Sequence, residues 1–499
     1  MKWMNLAEPD APGVWYDVDD MWPTKRGSYE TADYSSATSY SALSANAVIY
    51  AFAGQALTGK REYLIADSGA GAGAGKIWEL TGGALVDRTG GVTAGAIGTP
   101  MMAMYGSIVI LVNGVSQPTV SSSGGNFSAL AGAPRAEIVV VQSNAVVCFN
   151  TNANVDGWHA SDVGDYTNWT TGESASGRII TTPGPILAAV PFGRDILVFK
   201  SSAIYRMTYV GGVVKWQISI AWNGLGVAYS DATSYTTMKG KYQVVACRAG
   251  VVFNAHTDSQ ANSVYLFDGS SPPVCLNPLT SLNESSAVFL YHPIEDVLVL
   301  APAYGSDASG TVRYNNTVSA QNSRYYYYSF LSDAWGNGSG SEPEDWELAG
   351  NPVLTVNGVL QGDHYARAET SIKPVYWRYR NVTTAAFYRC APASVADMSC
   401  YLETAKIGLT EAKTLFDTLI PQLRRRTDLG TDSATLLISF FRDREDTTAA
   451  RTVTATEIAN PKRFTFTGTD NFARFKVTWT SLDIECDGFK IPNKYAGKH

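Results

Sequence analysis

Short apolar runs closed by turn residues recur along the first 300 positions: Tyr63-Leu64-Ile65-Ala66, Ile108-Val109-Ile110-Leu111-Val112, Val146-Val147-Cys148-Phe149, Ile196-Leu197-Val198-Phe199, Val251-Val252-Phe253 and Val297-Leu298-Val299-Leu300. Their centres are 37 to 55 residues apart. Four short strands with their turns need about 40–50 residues, so the spacing predicts β-propeller blades. Helical repeats of that length would need long 3.6-periodic segments, which the chain lacks. A weaker seventh run, Val353-Leu354-Thr355-Val356, leaves the blade count at six or seven.

A second element recurs beside the first. Lys76 to Gly83, Ala203 to Gly212 and Ser263 to Gly269 each read as a strand, a tight glycine turn and a return strand. Unrelated hairpins in a β-sandwich are the alternative to blades. Two Gly/Ser stretches, Ser68 to Gly75 and Gly336 to Ser341, read as loop excursions, and residues 332–350 show no clear blade strand.

Beyond about residue 385 the rhythm changes. Phe472 to Trp479 alternates, with Phe475, Val477 and Trp479 on one face and Arg474, Lys476 and Thr478 on the other, the pattern of a half-buried strand. Ala434 to Phe441 and Arg463 to Thr467 are also strand-like. Leu415 to Leu423 has helix-compatible apolar spacing, but Pro421 would cost a helix interior ~3 kcal/mol, so an edge strand is expected.

Composition agrees with an all-β chain. Charged residues are 17% of the 499, below the usual ~25%, and 18 Phe, 12 Trp and 27 Tyr exclude a disordered chain. The length exceeds one average core, so an array plus a further domain is expected. The formal charge of −7 divides unevenly: residues 1–389 carry −8 and residues 390–499 carry +1 at high charge density, which suggests a boundary near 390. An acidic array gives no reason to expect tight, phosphate-neutralising nucleic-acid binding. The six cysteines form no C-x-x-C pair and several lie in apolar runs, the pattern of buried free thiols. The first residues lack the apolar core of a signal peptide, and no stretch approaches the ~20 apolar residues of a membrane helix.

The candidate chemistry is sparse. The run Gly69 to Ile77 resembles a phosphate loop, but Ala70 and Ile77 occupy positions that need Gly and Ser/Thr, so a flexible loop is expected. The five histidines are dispersed without ligand spacing, and no Gly-x-Ser-x-Gly elbow nominates a nucleophile. No catalytic residue, metal site or cofactor is therefore expected. The stretch Trp158 to Trp169, with Asp162-Val163-Gly164-Asp165, resembles the Asp-box turns of sialidases with departures at Ala160, Tyr166 and Thr167. Asp162 and Asp165 could bind Ca²⁺ or border a sugar site, although Asp closes turns equally well. Arg424-Arg425-Arg426 is the only basic cluster; it reads either as a solvated turn or, with Arg442, Arg444 and Arg451, as an interface for an acidic partner.

The opening Pro12 to Glu30, the Trp158 to Trp169 turn, Gly193 to Arg206 and Cys400 to Gly408 together resemble the propeller-containing tail nozzle proteins of short-tailed bacteriophages (tail tubular protein B-like). The resemblance implies an irregular six- or seven-bladed β-propeller, residues 36–385, and a β-rich platform domain, residues 386–499, joined by the N-terminal segment 1–35. It implies a virion protein made in the host cytoplasm: a ring, typically a homohexamer, below portal and adaptor. Genomic DNA would pass through its lumen without sequence-specific binding, and the adaptor and tail fibre or spike proteins would be its neighbours. The family supplies no catalytic residues, so the resemblance implies no enzyme. The competing expectations are a propeller that binds or hydrolyses glycans, and another phage head-closure or baseplate ring component.

Overall fold

A computed structural model of the chain describes residues 84–90, 100–122, 124–227 and 240–255 in full and, elsewhere, the strands and short segments named below. The described residues are almost entirely β, as expected from the sequence, and they contain six consecutive four-stranded antiparallel meanders. Blade 1 comprises Val48–Ala56, Gly59–Asp67, Gly75–Thr81 and Ala84–Asp87. Blade 2 comprises Met101–Tyr105, Ile108–Val112, Thr119–Ser122 and Ser128–Ala129. Blade 3 is built from Ala136–Gln142, Ala145–Thr151, Gly157–Ala160 and Ala175–Arg178. Blade 4 uses Ala188–Phe192, Asp195–Phe199, Ala203–Gly211 and Lys215–Asn223. Val244–Cys247, Gly250–Thr257, Gln260–Phe267 and Val274–Asn277 form blade 5. Val288–His292, Val297–Ala301, Arg324–Ser329 and Ala334–Ser339 form blade 6.

The first strand of each blade lies beside the first strand of the next, from blade 1 to blade 6, so first strands are innermost and fourth strands outermost. This is a β-propeller. Each apolar run that set the repeat spacing is a second strand, and the three glycine hairpins are third-to-fourth strand pairs in blades 1, 4 and 5.

The second strands explain why the runs are continuous. Successive side chains point to opposite faces of a sheet, and here both faces are buried against neighbouring blades. In blade 3, Val147 and Phe149 pack with Ile196 and Val198 of blade 4, while Val146 and Cys148 pack with Ile110 and Val112 of blade 2. Leu197 and Phe199 of blade 4 turn the other way, onto Val251 and Phe253 of blade 5. Phe149 is fully buried, and burial of such a side chain is worth about 1.5–3 kcal/mol.

Among the described residues, three sheets lie outside the array. One contains Lys2–Trp3 and Val14–Asp19 with Cys400–Thr404, Phe472–Trp479, Leu436–Phe441 and Arg451–Ala455, and Ile407–Gly408 pairs with its Phe472–Trp479 strand. The second contains Met21–Pro23 and Tyr29–Thr31 with Ile484–Lys490, Thr414–Arg425 and Phe464–Asp470; Lys494–Tyr495 also pairs with Thr414–Arg425. Both sheets thus combine strands from the first 31 residues with strands from the last hundred. The third joins Tyr376–Arg380 and Ala386–Cys390 to Ala37–Thr38, so it draws on both sides of the 385/386 division. Strands of the first two sheets, Lys2–Trp3, Val14–Asp19 and Met21–Pro23, contact the outer strand of blade 6.

Two sequence expectations are corrected. Gly336 to Ser339 is not a loop: with Ala334 and Trp335 it forms the fourth strand of blade 6, and so residues 332–350 do contain a blade strand. Gly336 and Gly338 pair with Tyr327 and Tyr325 in the ladder to Arg324–Ser329, whose backbone pairing holds a segment of weak strand preference. The Leu415 to Leu423 segment is a strand, as expected from Pro421, within Thr414–Arg425, and Pro421 is paired only with Phe489. A residue without an N–H is thereby accommodated beside a single ladder. The seventh run, Val353 to Val356, lies outside the described residues.

Candidate functional site

The Trp158 to Trp169 stretch begins in the third strand of blade 3 and continues into the loop that leads to the fourth strand. Its carboxylates are occupied by donors of that loop. Asp162 accepts from the Glu173 amide at 2.7 Å and from the Asn168 side-chain amide at 3.1 Å. Asp165 accepts from the Thr167 amide and hydroxyl at 2.9 and 2.6 Å, and these bonds hold its carboxyl below the usual range. Asn168 in turn accepts from the amides of Thr170 and Thr171. A Cβ at Gly172, whose φ is +64°, would collide with the Asp162 carboxylate. This is the geometry of side-chain-closed turns. His159 lies beneath the loop, with Nε2 3.0 Å from the Trp169 carbonyl and its ring edge-on to Trp169; burial lowers its pKa.

The loop also joins two blades. Lys215, at the start of the fourth strand of blade 4, donates to the carbonyls of Gly172 and Ser174 at 2.6 and 2.7 Å, and Tyr209 donates to Glu173 at 3.3 Å. The stretch that the sequence singled out is therefore packed into the seam between blades 3 and 4.

On the opposite end of that seam is a residue that sequence reading passed over. Lys200, at the turn after the second strand of blade 4, is fully buried. Its ammonium donates to the Ile179 carbonyl at 2.9 Å and to the Thr182 carbonyl at 2.5 Å, and Tyr205 donates to the Thr182 hydroxyl at 2.9 Å. Burial lowers the Lys200 pKa, with Asp156 opposing that shift. Asp156 itself is held below the usual carboxylate range by a two-bonded Arg178 guanidinium at 2.8 and 2.9 Å. The signal in the sequence was a lysine closing an apolar run, Ile196 to Lys200, where a solvated turn residue would be ordinary.

The remaining candidates are dispersed. Of the phosphate-loop-like run, residues 69–74 lie outside the described residues; Lys76 sits in the third strand of blade 1, 3.1 Å from Asp87 and over the Trp78 ring. Arg424 and Arg425 do not form a turn. They end the strand Thr414–Arg425, opposite Glu485 and Ile484, because that strand runs on through the proline to pair with Ile484–Lys490. Arg426 lies outside the described residues, as do His364 and His499. Cys148, Cys247 and Cys275 are not in disulfides, and burial pushes Cys148 up to about 12 and Cys247 to about 11. Among the described residues, no group of three or more His, Cys, Asp or Glu is placed to hold a metal ion, and no helix is long and apolar enough to cross a membrane.

No protein-family profile and no curated protein sequence matches the chain. Several solved structures are similar to it at low identity. One is YCF48 bound to a D1 peptide, at 11% identity and a TM-score of 0.38, covering 72% of this chain and 96% of that one. Another is an exo-β-1,3-galactanase from Phanerochaete chrysosporium with galactose, at 9% identity and a TM-score of 0.29, covering 91% and 99%. A third is a putative 6-phosphogluconolactonase from Bacteroides fragilis, at 10% identity and a TM-score of 0.29, covering 60% and 95%. Likenesses this distant carry no activity over to the chain.

Proposed function

We propose that the protein is a structural ring component of a short bacteriophage tail, a nozzle below portal and adaptor through which genomic DNA is retained and ejected. The observation that carries this reading is the split platform. Strands within residues 2–31 complete two sheets otherwise built from residues 400–495, and the blades are inserted between those two parts of the sequence. That arrangement is what the resemblance to tail nozzle proteins implies. In this reading residues 36–385 hold the propeller blades and residues 1–35 and 386–499 form one discontinuous platform, whose Arg424, Arg425 and Arg426 contact an acidic neighbour in the ring.

The acidic balance of the first 389 residues, −8, supports the same reading. A conduit must let phosphates slide, and a lumen that carries negative charge does not hold them. Assembly then comes from contacts between copies, which close into a ring when a head-to-tail contact repeats around an axis.

Electron microscopy of the purified protein, alone and with its adaptor, tests the reading. Rings with a central hole are expected. Monomeric globules at high concentration and with adaptor would overturn it, and binding on a glycan array or glycan hydrolysis by that monomer would put a glycan-directed propeller in its place.

A further inference from the structure

A short helical turn, Gly240–Tyr242, precedes the inner strand of blade 5. Its three residues reach the inner strands of three other blades. The Tyr242 hydroxyl donates to the carbonyl of Pro100, the residue before the inner strand of blade 2. The Lys241 ammonium donates at 2.6 Å to the carbonyl of Glu137, the second residue of the inner strand of blade 3. Gly240 lies so close to Leu187, just before the inner strand of blade 4, and to Val227 that a Cβ there would stand 3.0 and 2.7 Å from them. The Tyr242 side chain packs on the core between blades 1 and 2, beside Met102 and Tyr63.

Blade 5 is three blades away from blade 2 along the array. A segment of blade 5 that meets blades 2, 3 and 4 at the starts of their inner strands has to cross the propeller axis at that mouth. From this we infer that Gly240–Tyr242 is a clasp: it seals one mouth of the propeller bore with the protein's own chain and ties non-neighbouring blades together. The inference is independent of the nozzle reading and has a consequence for every reading of this propeller. Ligand sites in closed β architectures favour the mouth of the barrel or channel, and with one mouth occupied by protein a polymer cannot thread the bore and an axial ligand has only the opposite mouth to enter by.

The clasp has an energetic role as well. Each of the six blades is made from contiguous chain, and an array with nearest-neighbour contacts alone unfolds by parts, since its stability is a sum over units and seams. Bonds from blade 5 to blades 2 and 3 add ties that skip the neighbour. They couple the seams that the array would otherwise leave independent.

Three variants test this: Lys241→Met, which keeps the apolar stem, Tyr242→Phe, which keeps the ring, and the two combined. In the double variant amide hydrogen exchange is expected to rise about tenfold at the starts of Met101–Tyr105 and Ala136–Gln142, with Ala203–Gly211 of blade 4 unchanged. Denaturant unfolding of the double variant is expected to show one more transition than that of the parent. Unchanged exchange at the two inner strands, or an equal rise in every blade, would overturn the inference. Should the double variant fail to fold, Tyr242→Phe decides alone: a rise confined to Met101–Tyr105 supports the clasp, and no rise there refutes it.

Discussion

Two seams of the propeller solve the same problem, a cation buried between blades, in different ways. In the seam of blades 1 and 2 the solution is ionic. Arg61 and Arg88 each approach one oxygen of Glu79 at 2.7 Å, and the Arg61 and Glu79 side chains are only 8% and 5% exposed. Arg61 also donates to the Tyr63 hydroxyl, and Tyr63 is edge-on to Phe127 of blade 2 at 5.5 Å. In the seam of blades 3 and 4 Lys200 has no carboxylate within bonding distance and is held by the carbonyls of Ile179 and Thr182. A charge anchored by a charge stakes two desolvated ions on one geometry. A charge anchored by carbonyls leaves only neutral groups behind when it is removed, so the first seam is the more fragile to a single substitution.

The largest expected effect follows from that difference. Glu79→Leu strands two guanidinium groups without their acceptor and is expected to cost about 3–5 kcal/mol in denaturant unfolding. Replacing Arg61, Glu79 and Arg88 together with apolar residues of similar size should recover most of that loss. If Glu79→Leu costs under about 1 kcal/mol, the network behaves as a solvated surface cluster and the contrast between the seams disappears.

Lys200→Met is expected to cost less, about 1–3 kcal/mol, because two carbonyls lose a donor while the desolvation of an ammonium is relieved. It also has a signature in pH. Burial lowers the Lys200 pKa, so the unfolded chain holds this proton more tightly than the folded one. Stability should therefore rise as pH climbs from the folded value toward the unfolded value of about 10.4. Thermal unfolding of parent and Lys200→Met across that range checks it: the slope belongs to the parent alone, and a slope retained in the variant would assign it to another group.

The seams also show what a sequence can display. Ile196 to Phe199 was legible because both faces of that strand are buried, which makes an unbroken apolar run. The repeat spacing is simply the spacing of such strands. The fourth strand of blade 6, Ala334–Ser339, was not legible, because an outer strand of Gly and Asn is recruited by backbone pairing with Arg324–Ser329 rather than by its own preference. The end of the strand Thr414–Arg425 was hidden for a related reason: pairing with Ile484–Lys490 carries Arg424 and Arg425 into a ladder that their charge alone does not announce. Glu79 and Lys200 read as ordinary surface charges, since burial of a charge is a property of its partners. The Asp162 loop was legible as a turn, and its role as a bridge from blade 3 to Lys215 was not, because the bridging groups are backbone carbonyls.

That loop supplies the next test. Asp162→Ala removes the acceptor for the Glu173 amide and the Asn168 side chain and is expected to cost about 1–2 kcal/mol. The loop should then release Lys215, so Lys215→Met in the Asp162→Ala background should add less than it does in the parent, a coupling that a double-mutant cycle reads. Additive effects would mean that the turn and the bridge are separate devices.

The smallest effect is expected from an anchor of the same kind with no burial at all. Asp268, in the turn Asp268-Gly269-Ser270-Ser271 between the third and fourth strands of blade 5, accepts from the Ser270 and Ser271 amides, each at 2.7 Å, and is exposed. Those amides hold its carboxyl down to about 2. Because the folded value lies below the unfolded one of about 3.9, its contribution is present above that unfolded value and fades as pH falls through about 2. Following the Asp268 carboxyl carbon by NMR should give a midpoint near the lower value, and Asp268→Asn should remove the titration while leaving the turn closed. Water screens this anchor, so its loss should barely move the unfolding midpoint. If Asp268→Asn instead matched Lys200→Met in cost, burial would not be what separates strong anchors from weak ones, and the difference between the two seams would have to be sought in the number of bonds each cation makes.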